Sequence, residues 1–454
     1  NGTRAPDAYS SYDGPFWSNG DRPLHIFTFN EPLCAGTVLG GASGIRTWLP
    51  SIDLLDSRCT YNITIQAGNG LVPVCSGNLV NKRSVKNGKT VINTFEFKIA
   101  DPIPPHAVGL AIGEFVVVAD KFYPSRVTYF APNWGVDETT ACIQNCTKYV
   151  AKAIHFFEEI FDCQIPMGCH NVVFVNDPPT SRPLVGSHSA SMTVLSRDCL
   201  LPKSVRSSKL INFVDLAAEL AMGVVWNWFG VLANVKHWQD SWLSIGLANY
   251  MVDLFIKDEF GEDLYRVRLN EKMERVRDAA KRRSLRSLIA KNNEEIFELG
   301  PRHSSSPFAS RASMTIHAVV VRLNLAGHIS FLSLLRQWLK DTTANRRESH
   351  LDLYGTFKAD PEVRQRIALP PSSETGAGGA EASGSKPLAA GKLQPDVCDS
   401  SIPFIRKLAF LSGCQRVLDD AFIRHWLQKN SIPMFTADFA FYDRANQVEL
   451  AITQ

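Results

Sequence analysis

The stretch Asn212 to Leu254, NFVDLAAELAMGVVWNWFGVLANVKHWQDSWLSIGLANYMVDL, has the pattern of two apolar helices joined by a short turn. Trp226, Trp228, Phe229, Trp238, Trp242 and Leu243 crowd one region of it. Gly230 and Gly246 stand where backbones would need to come close.

Around this stretch lies a chain of ordinary globular composition. Its 454 residues are 45% hydrophobic and 20% charged, with a net charge of +3, so the mild basicity does not by itself imply nucleic acid. The length allows two to four domains and a sizeable core. No run approaches the roughly 18 apolar residues of a membrane-spanning helix. The opening NGTRAPDAYSSYDGPFW is polar and turn-rich rather than a secretory signal, and a first residue other than Met reads as part of a longer protein. Among the ten cysteines, Cys142 and Cys146 lie one helical turn apart without a matching second pair, which argues against a zinc knuckle. Buried, reduced, intracellular thiols are the expectation. Sequons at Asn1, Asn62 and Asn145 are common by chance and do not argue for secretion.

From about residue 20 to 130, HIFTF, TYNITIQ, LVPVCSG, TVINTFEFKI, AVGLAIGEFVVVA and RVTYFAP predict strands separated by Asn, Gly, Pro and Asp turns. The pattern then turns helical over 138–162, with Ile143, Val150, Ile154, Phe157 and Phe161 on one face. His155 and Glu159 sit one turn apart, and without a third donor nearby they read as a surface pair. Asn171 to Val175 follows as a buried strand, and His188-Ser189 lacks the G-x-S-x-G setting of a nucleophile elbow. Beyond the central pair, Arg266, Arg268, Lys272, Arg275, Arg277, Lys281, Arg282, Arg283 and Arg286 concentrate positive charge on about six helical turns. Of these, Arg266, Arg268, Lys272, Arg275, Lys281, Arg282, Arg283 and Arg286 are the candidate contacts to DNA or an acidic partner. The interleaved Glu271, Glu274 and Asp278 fit a plain solvated face instead. Residues 308–340 and 402–428 predict further helices, 366–396 a mobile Gly/Ser/Ala/Pro insertion, and Pro433 to Gln454 a hairpin.

Trp228-Phe229-Gly230 followed by Trp242-Leu243-Ser244-Ile245-Gly246 resembles the core of the gluzincin zinc aminopeptidases, whose frame reads H-E-x-x-H-Q-W-F-G and then W-L-N-E-G. Arg46 to Asp53 resembles that family's R-x-x-F-P-C-x-D segment, and Leu110 to Phe115 its A-x-x-V-G-x-F strand. The resemblance sets Met222 and Trp226 at the histidine ligands, Gly223 at the general base and Ile245 at the glutamate ligand. A second register, Ala218 to Met222 on H-E-L-A-H, also lacks both histidines. Ser189 stands at the glutamate that anchors the substrate amine, and Ala312 at the oxyanion tyrosine. Thioether, indole and alkyl side chains are not zinc donors. The resemblance therefore implies an aminopeptidase-like fold with no catalytic residue, no metal, no cofactor and no small-molecule substrate.

This combination is similar to the aminopeptidase-like TBP-associated factors, the subunit 2 type in the general transcription factor TFIID. The last hairpin, ending Val448-Glu449-Leu450-x-Ile452-x-Gln454, follows the family's V-E-L-x-I-x-Q form. The resemblance implies an α+β multidomain chain. An all-β saddle or sandwich domain would span 1–132, a degenerate thermolysin-like, mainly α domain 133–430, and the start of a small β-sandwich 431–454. It also implies a nuclear scaffold within TBP-containing TFIID. Its partners would be other TBP-associated factors, notably subunits 1 and 8, with promoter DNA contact and no membrane. An inactive aminopeptidase-like module of another assembly, or a diverged aminopeptidase, are the alternatives.

Overall fold

The structure is a computed structural model that describes residues 16–17, 26–28, 49–51, 55, 57–87, 90–133, 135–176, 186–200, 212–235, 238–289, 306–326, 330–344, 401–412, 416, 418–431, 436–442 and 447–453. Arg46 to Trp48 and the 366–396 insertion lie outside them.

The first part is β-rich, as expected. The strands are β1 (Phe16–Trp17), β2 (Ile26–Phe27), β3 (Cys59–Gly68), β4 (Val72–Cys75), β5 (Asn78–Asn87), β6 (Thr90–Ile103), β7 (Leu110–Gly113), β8 (Phe115–Ala119) and β9 (Val127–Pro132). Two of the sheets run β1-β2-β7-β4 and β3-β6-β5. On β6, Phe95, Phe97 and Ile99 alternate inward, and Phe95 and Phe97 pack with Ile65, Ala67 and Cys75. β5 has no counterpart among the predicted strands: NLVNKRSVKN is polar and does not alternate.

A third sheet, β11-β12-β10-β9-β8, joins β8 and β9 to β10 (His170–Val175), β11 (Ser187–Ser189) and β12 (Met192–Ser196). Hydrogen bonding thus runs across residue 133, with β9 and β12 both parallel to β10. The apolar run Val172 to Val175 is fully buried, as a strand covered on both faces must be.

The helical part contains α1 (Val136–Cys146), α2 (Tyr149–Phe161), α3 (Phe213–Trp226), α4 (Ser241–Phe260), α5 (Glu262–Lys281), α6 (Pro307–Ala326), α7 (Phe331–Ala344), α8 (Ser401–Leu411) and α9 (Asp420–Ile423). The helix expected over 138–162 is two helices, because the chain breaks at Thr147, whose hydroxyl donates back to the Ile143 carbonyl at 2.7 Å. The strongly basic helix ends at Lys281, so Arg282, Arg283 and Arg286 belong to the connection after it, with Arg283 at a φ of 55°. At the far end, β13 (Thr436–Tyr442) and β14 (Gln447–Thr453) form the expected antiparallel hairpin.

The central stretch is α3, a π-helical turn over Asn227–Leu232, and α4. The Asn212 side chain caps α3 by accepting from the Asp215 amide at 2.7 Å. Phe157, Phe161, Trp228, Phe229 and Trp338 make a chain of ring contacts that binds α2, the π turn and α7 together. Trp242 is fully buried, and its indole N–H donates to Ser401 Oγ at 3.1 Å. Gly246 is where backbones meet: a Cβ there would lie 2.9 Å from the Ala312 carbonyl of α6. Gly230 faces a side chain instead, since a Cβ there would lie 2.0 Å from the Trp226 indole.

Arg311, 5% exposed on α6, ties down the chain after α9. Its guanidinium donates to the carbonyls of Arg286, Trp426 (3.0 Å), Lys429 (2.6 Å) and Ser431 (3.4 Å), and burial pulls its pKa down to about 10. Arg311→Met will cost about 1–3 kcal/mol in urea unfolding, by leaving buried carbonyls unmatched. Amide exchange will quicken at 424–429. Unchanged exchange there would show that the chain after α9 is held by other contacts.

Candidate functional site: the buried centre at helices α3 and α4

The positions singled out in the sequence are buried. Met222 is 4% exposed, Trp226 7%, Ile245 3% and Ala312 0%, and all four lie in the main hydrophobic core. Gly223 faces β12 and β11: a Cβ on it would sit 2.0 Å from Thr193 Oγ1 and 3.1 Å from His188 Nδ1. Ser189 on β11 is 2% exposed and packs against Gly109, where an added Cβ would lie 2.7 Å from the serine side chain. No side chain of any size fits at Gly223. Gly223→Ala will destabilise the fold by about 1–3 kcal/mol through overpacking. In an exposed helix the same change stabilises by about 1 kcal/mol. Urea unfolding gives the sign, and a gain in stability would refute this packing.

Beneath these residues runs a buried polar chain. Glu219 Oε1 accepts from the Gly186 amide at 2.9 Å and lies 3.1 Å from His188 Nε2. His188 Nδ1 is 3.4 Å from Thr193 Oγ1, which is 3.2 Å from His170 Nε2. His170 Nδ1 is 3.3 Å from Asn227 Nδ2, and Asn227 Oδ1 accepts from the Ser191 amide at 2.7 Å. Burial, aided by the nearby His188, pulls the His170 pKa down to about 3, so its ring is neutral. One proton assignment runs the whole chain: Asn227 donates to His170, His170 to Thr193, Thr193 to His188, and His188 to Glu219. Each group is thereby committed to its neighbour, which knits β10, β11 and β12 to α3. In the sequence, His188 enters only where a nucleophile elbow is ruled out and Glu219 only within the second register, Ala218 to Met222. The signal for their actual placement was a carboxylate inside the apolar run of α3, which must find a partner when buried.

A second buried centre went unread. Asp253 on α4 is fully buried; its Oδ2 meets Lys272 Nζ at 2.5 Å, Ser313 Oγ at 3.1 Å and His317 Nε2 at 3.2 Å, while Oδ1 accepts from Arg268 Nε at 3.0 Å. Burial favours the protonated carboxyl, but Lys272, the His317 hydrogen bond and Arg268 outweigh it and hold Asp253 below the usual carboxylate range.

That centre corrects the basic surface. Lys272 is fully buried and the Arg268 side chain is 12% exposed, so both point inward to Asp253 and not to a partner. Arg275 is partly buried and donates to Ser310 Oγ at 3.1 Å. Arg266 is exposed but pairs with Glu262, and the exposed Arg277 and Lys281 pair with Glu274 and Asp278. Arg282, Arg283 and Arg286 are exposed at the end of α5. His155 and Glu159 lie 4.0 Å apart, 73% and 77% exposed, as a surface pair. Of the seven described cysteines only Cys75, Cys146 and Cys199 are buried, fewer than expected. Among the described residues, no group of three or more His, Cys, Asp or Glu side chains is placed to hold a metal ion, and no helix is long and apolar enough to cross a membrane.

The geometry matches a known domain. Residues 147–345 match the Peptidase family M1 domain. Yeast LTA4 hydrolase, solved in complex with Bestatin, superposes with a TM-score of 0.61 at 16% identity, over 94% of this chain and 54% of that one. The fold is therefore a β-rich region followed by a helical, M1-peptidase-like domain. In sequence, the chain is similar to transcription initiation factor TFIID subunit 2 from Gallus gallus, 25% identical over 57% of this chain and 20% of that protein. It is likewise similar to the Caenorhabditis elegans TFIID subunit 2, 28% identical over 57% of this chain and 22% of the relative. The chain thus spans about a fifth of the length of these curated relatives.

Proposed function

We propose that this chain is the non-catalytic, aminopeptidase-like part of a transcription initiation factor of the TFIID subunit 2 type. The observation that carries the reading is its similarity to TFIID subunit 2 from animals and from fission yeast. The core packing supports it. A catalytic zinc needs three side-chain donors and an open position. Met222, Trp226 and Ile245 supply no such set and are packed among apolar groups, so the residues present do not fit the metal and no metal-dependent step follows. Gly223 has no side chain to activate water, and Ala312 has none to stabilise an oxyanion.

The role that remains is a scaffold that supports preinitiation complex assembly for RNA polymerase II. It works in the nucleus within TBP-containing TFIID, beside other TBP-associated factors, with subunits 1 and 8 as direct neighbours, and it needs no cofactor. Core-promoter DNA lies against the end of α5, where Lys281, Arg282, Arg283 and Arg286 stand within six residues, with Arg266 and Arg275 further along the helix. Such cations contact phosphates and position the protein without reading bases.

Chromatin immunoprecipitation of the intact tagged protein tests the function. Enrichment at core promoters of transcribed genes, lost on depletion of TBP, is expected; an even distribution along chromatin would contradict it. For the surface, Arg282→Glu/Arg283→Glu/Arg286→Glu in the intact protein will weaken binding to duplex DNA whatever its sequence. The slope of log affinity against log salt will become shallower by about 0.9 for each phosphate that is no longer neutralised. An unchanged slope in fluorescence anisotropy would move the DNA interface elsewhere.

A further inference from the structure

The three-stranded sheet β3-β6-β5 leaves β5 at an edge among the described residues, paired as a strand with β6. This edge is ten residues long. Long exposed edges are templates for a further strand, and proteins usually shorten or cover them. Apolar side chains of β5 are exposed on both faces. Leu79 is 51% exposed, Val80 63% and Val85 60%, and Ile92, paired with Val85 on β6, is 37% exposed.

Charge on the edge is one-sided. Lys82, Arg83 and Lys86 are exposed on β5 and Lys98 on β6, while Glu96 is the acidic residue among them and lies 3.9 Å from Arg83. The register sorts the edge by face. Leu79 pairs with Phe97 and Lys82 with Phe95, so Leu79, Lys82, Ser84 and Lys86 share one face. Lys82 Nζ lies 5.2 Å from the centre of the Phe95 ring. Arg83 and Val85 share the other face with Ile92. Both faces thus offer a cation beside an apolar side chain. Basic residues on an edge repel a second copy of the same edge, and by the same field they attract an acidic strand.

We propose that β5 is a docking edge that takes an extended acidic segment of a partner protein as a fourth strand of this sheet. The segment carries Asp or Glu opposite Lys82, Arg83 and Lys86 and aliphatic residues opposite Leu79 and Val85. Main-chain hydrogen bonds to the free edge supply affinity, and the alternating side chains supply choice of partner. The register is irregular between Leu79 and Asn81, so Leu79 lies beyond one interruption of the seat. This edge is separate from the basic end of α5, so the proposal does not rest on DNA binding.

The test uses the intact protein and three synthetic ten-residue peptides. One places Glu or Asp at the positions facing Lys82, Arg83 and Lys86 and Val or Ile at those facing Leu79 and Val85, one carries Lys in place of the acids, and one is the acidic peptide with alternate backbone nitrogens methylated. Fluorescence anisotropy should show the acidic peptide binding at least tenfold tighter than the other two. Amide exchange should slow at residues 81–87 when it binds. Lys82→Glu/Arg83→Glu/Lys86→Glu, on the exposed edge, should lower that affinity tenfold or more. Circular dichroism and the unfolding midpoint confirm that this variant folds. Arg282→Glu/Arg283→Glu/Arg286→Glu should leave peptide affinity unchanged. Equal affinity for the acidic and methylated peptides, indifference to charge reversal on β5, protection at the α5 end instead, or self-association through β5 in sedimentation would each overturn the proposal.

Discussion

Asp253→Ala will lower the unfolding free energy by about 3–5 kcal/mol, the cost of stranding a buried cation without its partner. The stranded groups are Lys272, fully buried, and Arg268, at 12% exposure. Asp253→Asn keeps the shape but not the charge, and should cost nearly as much. The effect has a pH signature. The Asp253 carboxyl is held below its ordinary range: burial opposes the charge, but Lys272, the His317 hydrogen bond and Arg268 outweigh burial. A folded-state pKa below the unfolded one means that the stabilisation is complete above the unfolded value of about 3.9. It is lost as pH falls from there through the folded value. The wild type should therefore lead the alanine variant by its full margin at pH 7 and by a smaller one at pH 3. Equal margins would show that Asp253 contributes shape and not charge.

Ile245→Glu carries the second large effect, because it tests what occupies the centre. Ile245 is 3% exposed, next to Gly246, whose Cα side meets the Ala312 backbone. An ionised carboxylate placed in this apolar core will either unfold the domain or take up a proton. A loss of about 3–5 kcal/mol in urea unfolding is expected, in line with an uncompensated buried charge. Ile245→Leu, which conserves volume, should cost less than about 1.5 kcal/mol. Zinc at saturation should not restore the glutamate variant, since Met222 and Trp226 bring no donors. Rescue by zinc would mean that other donors line this centre and that the apolar packing is incomplete.

What the sequence disclosed followed from local order. The spacing of Trp228, Phe229 and Gly230 to Trp242 and Gly246 gave the central helices, and the close backbone approach expected at both glycines is found at Gly246 but not at Gly230. Alternation along β6 and the unbroken apolar run Val172 to Val175 gave strands with the right burial. Other features depend on partners far along the chain. Lys272 looked like a surface cation because its helix is basic, and Asp253, nineteen residues earlier, took it into the core. Glu219 and His188 lie on separate elements that only the packing of β11 on α3 brings within 3.1 Å. β5 escaped notice because an edge strand with both faces in solvent needs neither alternation nor apolar residues. The break at Thr147 was hidden by apolar spacing that runs on through it.

Affinity purification of the intact, tagged protein from its own cells, followed by mass spectrometry, tests the proposed function most directly. Recovery of TBP with several TBP-associated factors, in amounts comparable to the tagged protein, is the predicted result. Reproducible recovery of a different assembly lacking TBP would contradict it. The M1-like fold would then serve as a scaffold outside transcription initiation.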